Sequence, residues 1–201
     1  YIVWTLSNTL YFVKSIDGGV SFSNKITVSS GYAPDMAVSK SGGYVYVIGK
    51  NPSSSNSLIF KKSTNGGISF GYGTTVTDPN AYYIQADQPK VECSESARFV
   101  YIVFAVHYNP GAIGSYHRDK AVFARSQDYG ATFEMPKMIA PEEYNSRYPD
   151  IATRADNEIY VSWQQDSGQG TGYWYLHNYF IKSTNNGTSF SSWVRMDDGD
   201  Y

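Results

Sequence analysis

One eight-residue pattern constrains this chain more than any other feature. Ser15-Ile-Asp17-Gly-Gly19-Val-Ser21-Phe22 returns as Ser63-Thr-Asn65-Gly-Gly67-Ile-Ser69-Phe70, then as Ser126-Gln-Asp128-Tyr-Gly130-Ala-Thr132-Phe133. The fourth copy is Ser183-Thr-Asn185-Asn-Gly187-Thr-Ser189-Phe190. All four satisfy S-x-[DN]-x-G-x-[ST]-F, at spacings of 48, 63 and 57 residues. An Asp or Asn at the third position can accept hydrogen bonds from the amides of its own turn. The Gly permits a positive φ without a Cβ clash. A short apolar run precedes each copy (Leu10 to Val13, Leu58 to Phe60, Ala121 to Ala124, Tyr179 to Ile181). The pattern is therefore the turn of a β-hairpin, with its Phe opening the returning strand and expected to bury its ring.

A second repeat precedes the first in each later unit. Pro34-Asp35-Met36-Ala37, Pro89-Lys90-Val91-Glu92 and Pro149-Asp150-Ile151-Ala152 are each expected to start a short strand. A polar turn and a richer strand follow: Tyr44 to Ile48, Phe99 to Val106, Ile159 to Trp163. A unit thus holds four strands, here called a, b, c and d, with the repeated turn between c and d. Four-stranded units at this period are blades of an all-β propeller. The expected division of the single region 1–201 is an incomplete blade over 1–30 and blades over 31–78, 79–140 and 141–201. Tyr1 to Trp4 aligns with strand b, so about four antiparallel blades of a partial propeller are expected, as part of a larger chain or assembly.

Composition narrows the function. A formal net charge of −2 gives no basic face for nucleic acid. The longest uninterrupted apolar run, Phe99 to Val106, is far too short to span a membrane as a helix. Charged residues make up 17% and hydrophobic ones 41%, a globular balance. The lone Cys93 reads as a small core residue and allows no internal disulfide. No cofactor is expected, although Asp197-Asp198-Gly199-Asp200 offers carboxylates of the kind calcium takes. His107, His117 and His177 lack the tight spacing of a zinc site, and no metal ligand is assigned. Asn186-Gly-Thr188 is a formal glycosylation sequon inside the fourth turn, its use undecided.

Loops alternate between the two faces of a propeller. The a–b turns and the repeated turns share one face and are short and uniform. The other face receives long irregular segments, Thr77 to Gln88, His107 to Lys120, Pro141 to Arg147 and Gln165 to Asn178, where binding usually resides. Aromatic rings beside directional donors suit sugar rings or acidic protein surfaces. Candidate ligand contacts are Tyr116, Arg118, Arg147, Trp174 and Tyr175. The alternative is that these aromatics cap an aromatic-rich core.

The four turns resemble the Asp-box (BNR) repeats of sialidase-type propellers. "YPDIATRADNEIYVSWQQ" and "FIKSTNNGTSF" look like secreted sialidase-like repeat proteins of archaea and bacteria. The structural Asp-box residues are then Ser15, Asp17, Gly19 and Phe22; Ser63, Asn65, Gly67 and Phe70; Ser126, Asp128, Gly130 and Phe133; and Ser183, Asn185, Gly187 and Phe190. The resemblance implies an extracellular or cell-surface location. For an active sialidase it also implies three arginines on the substrate carboxylate, a tyrosine nucleophile with its Glu, and an Asp acid/base. Arg147-Tyr148-Pro149 is similar to the Arg-Ile-Pro motif of that family, but it occurs in the last blade rather than an early one. Only Arg118 and Arg147 of the six arginines belong to the loop face, so no catalytic residue is assigned. The expectation is a non-catalytic propeller used for glycan or protein interaction. The alternatives are a fragment of an exo-sialidase-like glycoside hydrolase and a structural module of a surface array.

Overall fold

The computed structural model describes residues 1–71, 73–77, 83–108, 118–141, 145–166 and 176–197. Among these residues there is no helix. Blade one holds β1 (Ile2–Leu6), β2 (Thr9–Val13) and β3 (Ile26–Ser30), in that order. Blade two holds β4 (Tyr32–Val38), β5 (Val45–Lys50), β6 (Ser57–Ser63) and β7 (Thr74–Thr77). Blade three comprises β8 (Tyr83–Cys93), β9 (Val100–Tyr108), β10 (Arg118–Ser126) and β11 (Lys137–Met138). Blade four comprises β12 (Ser146–Arg154), β13 (Glu158–Asp166), β14 (Leu176–Ser183) and β15 (Val194–Arg195). Every pairing is antiparallel between chain neighbours, and the sheets are separate. Strand a of one blade lies beside strand a of the next, β4 against β8 and β8 against β12. The fold is a β-propeller with strand a innermost, and the described blades form an open series.

The core lies between blades, because each sheet is apolar on both faces. In β9, Val100, Ile102, Phe104 and Val106 face Tyr46, Ile48 and Phe60 of blade two. Tyr101 and Val103 of the same strand face Ile159, Val161 and Trp163 of blade four. A strand buried on both sides reads as a continuous apolar run, which is why Phe99 to Val106 lacks alternation. A third cluster joins Leu10 and Phe12 of blade one to Val45 and Val47 of blade two. Cys93 is buried among the second and third blades' apolar residues, and burial pushes its thiol up to about 12.

The repeated turns close as the sequence requires. The Ser hydroxyl donates to Asp17, Asn65, Asp128 and Asn185 at 2.6, 2.7, 2.6 and 2.8 Å. It also accepts the amide of Gly19, Gly67, Gly130 or Gly187. Each Asp or Asn accepts the amide of the Ser or Thr four residues on, at 2.9 to 3.0 Å. Asp and Asn interchange because the partner hydroxyl rotates. Ser21 and Thr132 donate to the carboxylates, whereas Ser69 and Ser189 accept from the Asn amides. Hydrogen bonds from Ser15 and Ser21 hold the Asp17 carboxyl well below its usual range. Burial opposes the charge on Asp128, but donors from Ser126, Thr132 and Ala131 outweigh it and bring its pKa down to about 2.

Three expectations need correction. The Phe rings of the turns are not core: Phe70, Phe133 and Phe190 are half-buried, and Phe22 is 47% exposed. Each of the first three packs edge-on against Phe12, Phe60 or Phe123 of the preceding blade, a contact that Phe22 does not make among the described residues. The prolines do not start their strands; Pro34, Pro89 and Pro149 lie inside β4, β8 and β12 at register shifts. A missing N–H is tolerated in a sheet where the ladder is already broken. Finally, strands extend into the segments expected as loops, through Tyr83, Tyr108, Arg118, Arg147, Gln165 and His177. Long blades carry their pairing to the loop face, because side-chain ties such as Asp119 to His107 and Asn145 to Asp166 hold the strand ends there.

Candidate functional site

Each inner strand carries the same irregularity. Ala33, Gln88 and Tyr148, which precede the three prolines, have φ of 48, 52 and 50°. Left-handed backbone at a non-glycine costs of order 1–3 kcal/mol, and such strain clusters at functional sites. Here it bulges three neighbouring strands at one level, toward their loop-face ends. The bulges surround a cavity of about 430 Å³ lined by the three prolines, the three residues before them, Lys90 and Asp150. Because its walls are inner strands of three blades, the cavity sits at the axial mouth.

The chemistry of this mouth is that of hydrogen-bond acceptors beside one aromatic ring. Asp35 Oδ2 accepts the Val91 amide at 2.8 Å, and Asp35 Oδ1 stands 3.9 Å from Lys90 Nζ. Burial raises the Asp35 pKa against the pull of the Val91 amide and Lys90. Burial also raises that of Glu92, which feels the carboxylates of Asp35 and Asp150. Gln88 Oε1 accepts the Tyr148 amide at 2.7 Å, tying blade three to blade four. The Tyr148 residue itself is 61% exposed. Such a site accepts hydrogen bonds from hydroxyl groups and offers a flat apolar face.

Charges around the mouth are paired. Lys50 meets Asp87 at 3.0 Å. Buried Asp119 holds both His107 and Arg147, and its own amide donates to Asn145 Oδ1 at 3.0 Å. Asn145 in turn donates to buried Asp166 at 2.6 Å. Arg147 is thus the one predicted contact whose side chain is described, and its guanidinium is committed to Asp119. Tyr116, Trp174 and Tyr175 lie outside the described residues, as does His117. Arg118 opens β10 at the loop-face end. Asp35, Gln88, Glu92, Tyr148 and Asp150 were not singled out from sequence. Their signal was the thrice-repeated x-Pro dipeptide inside a strand, which marks a bulge rather than a strand start.

Asp197 and Asn186, one residue from each of the calcium and glycosylation motifs, make contacts within the chain. Asp197 accepts from Arg195 Nε at 2.7 Å and from the Asn178 amide at 2.6 Å, and lies 2.9 Å from His177 Nδ1. Asp198 to Asp200 lie outside the described residues. Among the described residues no cluster of three His, Cys, Asp or Glu side chains is arranged for a metal ion. Asn186 sits at the joint between blades three and four, where Tyr101 Oη is 3.4 Å from its Oδ1 and Arg125 takes its carbonyl.

No family model and no curated protein matches the sequence. Among solved structures the chain is similar to an alpha-L-arabinanase of Penicillium chrysogenum complexed with arabinobiose. Identity is 12% and the TM-score 0.61, over 93% of this chain and 58% of that one. An exo-beta-1,3-galactanase from Clostridium thermocellum is similar at 15% identity and a TM-score of 0.48, over 82% of this chain and 48% of that one. The chain therefore spans roughly half the length of these structures. At such identities the likeness is one of fold, that of the β-propeller.

Proposed function

We propose that this chain is a glycan-binding β-propeller region that takes its ligand at the axial mouth on the loop face. The observation that carries the reading is the cavity at the three x-Pro bulges, where exposed Tyr148 lines the wall with Gln88, Lys90 and Asp150. Sugar rings present apolar C–H faces to an aromatic and hydroxyl donors to carboxylates and amides. A propeller of the same fold complexed with arabinobiose is consistent with this use. The ligand contacts expected at Tyr116, Arg118, Trp174 and Tyr175 belong to the same reading. A location outside the cell belongs to this reading, as does the Asp-box resemblance of the turns.

Sialidase chemistry is not part of it. The guanidinium groups of Arg98, Arg125, Arg147, Arg154 and Arg195 are each engaged within the chain by Gln127, Glu134, Asp119, Glu158 and Asp197. A carboxylate-binding triad needs such forks directed at the ligand. A second reading is favoured by one observation. Asp35 and Glu92 are half-buried carboxylates whose pKa burial raises and which feel the charge of Asp150, and a pair of carboxyl groups is what most glycoside hydrolases use.

A glycan array probed with the chain and with Tyr148→Ala tests the first reading. Binding that falls at least about tenfold in the variant, with an unchanged melting temperature, supports it. Binding that the variant leaves intact contradicts it. Release of reducing sugar from any bound glycan, abolished by Glu92→Gln, would establish the second reading instead.

A further inference from the structure

We infer that the outer slot between blades two and three is a binding site for an alkylammonium group, the chemistry of a lysine side chain. The molecule supplies its own template for this. Strand d of each of the first three blades places one residue opposite the strand-c phenylalanine of the interblade joint. Ile26 pairs with Phe12, Thr74 with Phe60 and Lys137 with Phe123. Between blades three and four, Lys137 spans the joint. Its Nζ donates to the Gly187 carbonyl at 3.0 Å and stands 3.4 Å from that of Thr188. The same ammonium lies 5.5 Å from the ring centroids of Phe123 and Phe190. A cation set against two aromatic rings and two carbonyl oxygens is held by cation–π attraction and by hydrogen bonds together. Between blades one and two, Ile26 packs into the cluster that holds Phe12 and Phe70.

Between blades two and three the frame is the same and the wedge is short. Phe60 and Phe133 meet at 4.9 Å and 76°, as Phe123 and Phe190 meet at 5.0 Å and 81°. Gly130 and Ala131 hold the places of Gly187 and Thr188 in the repeated turn. The carbonyl before them, that of Tyr129, is taken by Lys62, just as Arg125 takes that of Asn186. The carbonyls of Gly130 and Ala131 receive no hydrogen bond from a described residue. Thr74, whose side chain ends at Cγ, stops short of the space that the long stem and ammonium of Lys137 cross in the next joint. What this leaves is a cavity of about 410 Å³, and Thr74, Thr75, Ala131, Thr132, Phe133 and Met135 are among the residues that line it. Small-ligand sites run from about 300 to 1,000 Å³. Met135 is 70% exposed and offers a polarizable surface to an aliphatic stem. The slot therefore has rings, free carbonyls and room in the arrangement that the neighbouring joint uses for a lysine.

An NMR titration of the isotope-labelled chain, read at the amides of Thr75, Ala131 and Thr132, tests the inference. The probes are Nα-acetyl-lysine methylamide, cadaverine and the neutral Nα-acetyl-norleucine methylamide. The lysine derivative should bind saturably with a dissociation constant on the order of 1 mM, and the norleucine derivative at least about tenfold more weakly. Tighter binding of the lysine derivative marks a protein lysine as the source, and tighter binding of cadaverine a free polyamine; either supports the inference. Thr74→Lys should fill the slot from within, abolish the shifts and raise the melting temperature by about 2–4 °C. Should that variant not fold, Thr74→Ile, which carries the residue type of position 26, blocks the slot instead. Lys137→Ala should open a matching slot and add saturable shifts at Gly187 and Thr188. No saturable shift in the parent, equal binding of the norleucine probe, or binding retained by a folded Thr74 variant would overturn the inference. None of these readouts depends on glycan binding.

Discussion

The turn face and the axial mouth of this propeller are built by opposite rules. On the turn face, four segments with nearly one sequence adopt one hydrogen-bonded geometry, and every bond of that geometry stays within eight consecutive residues. At the mouth, three strands share one backbone irregularity, but the residues it displays differ: Ala33, Gln88 and Tyr148 before proline, Asp35, Lys90 and Asp150 after it. Uniformity on one face and variety on the other teach where selection for shape ends and selection for contact begins. The turns repeat because each must fit the same ring of the preceding blade. The mouth varies because nothing in the chain requires three blades to present the same groups to a ligand.

The largest effect expected from breaking this division is at the interblade aromatics. Phe123→Ala removes a fully buried ring and should cost about 3–5 kcal/mol in chemical denaturation. A cost below about 1 kcal/mol would mean the joints are not the core. At the mouth the sign should reverse. Burial disfavours the charged form of Asp35, so Asp35→Asn should stabilise the chain by about 0.5–1 kcal/mol at pH 7 while weakening ligand binding. Loss of both stability and binding would reassign Asp35 to the framework. Phe22→Ala should change stability by no more than about 0.5 kcal/mol, because that ring is 47% exposed.

The smallest effect is expected from Asp128→Asn, close to zero at pH 7, since Asn65 and Asn185 close the same turn with the hydroxyl roles exchanged. Its signature is in the pH profile. The folded pKa of Asp128 lies below its ordinary value, so its ionised form stabilises the fold above about pH 4, the ordinary range of an Asp carboxyl. That contribution is lost as pH falls through the folded value of about 2. Asn cannot titrate, and the variant should flatten that part of the acid limb measured by thermal melts between pH 5 and pH 2. An unchanged acid limb would show that the carboxylate and its donors part before the chain unfolds.

The difference in rules also explains what could be read from the sequence. The turns and the strand order follow from local hydrogen bonds, glycine and periodicity, all visible in short windows. The half-burial of Phe70, Phe133 and Phe190 was not visible, because it depends on a ring contributed from the preceding blade. The mouth was hidden for the same reason. Pro34, Pro89 and Pro149 are conspicuous in sequence, but an extended strand start and a bulge inside a longer strand share the same local signal. Arg147 was legible as a loop-face cation, whereas its pairing with Asp119 of the neighbouring blade was not.

The central claim, that ligand is taken at the mouth and not on the turn face, is tested most directly by one titration. A glycan identified on an array is titrated calorimetrically into the parent chain, Tyr148→Ala and Phe22→Ala, all under conditions where each is folded. The account predicts that Tyr148→Ala weakens binding at least about tenfold while Phe22→Ala leaves it within about twofold of the parent. Binding lost in Phe22→Ala and retained in Tyr148→Ala would place the ligand on the turn face and contradict it.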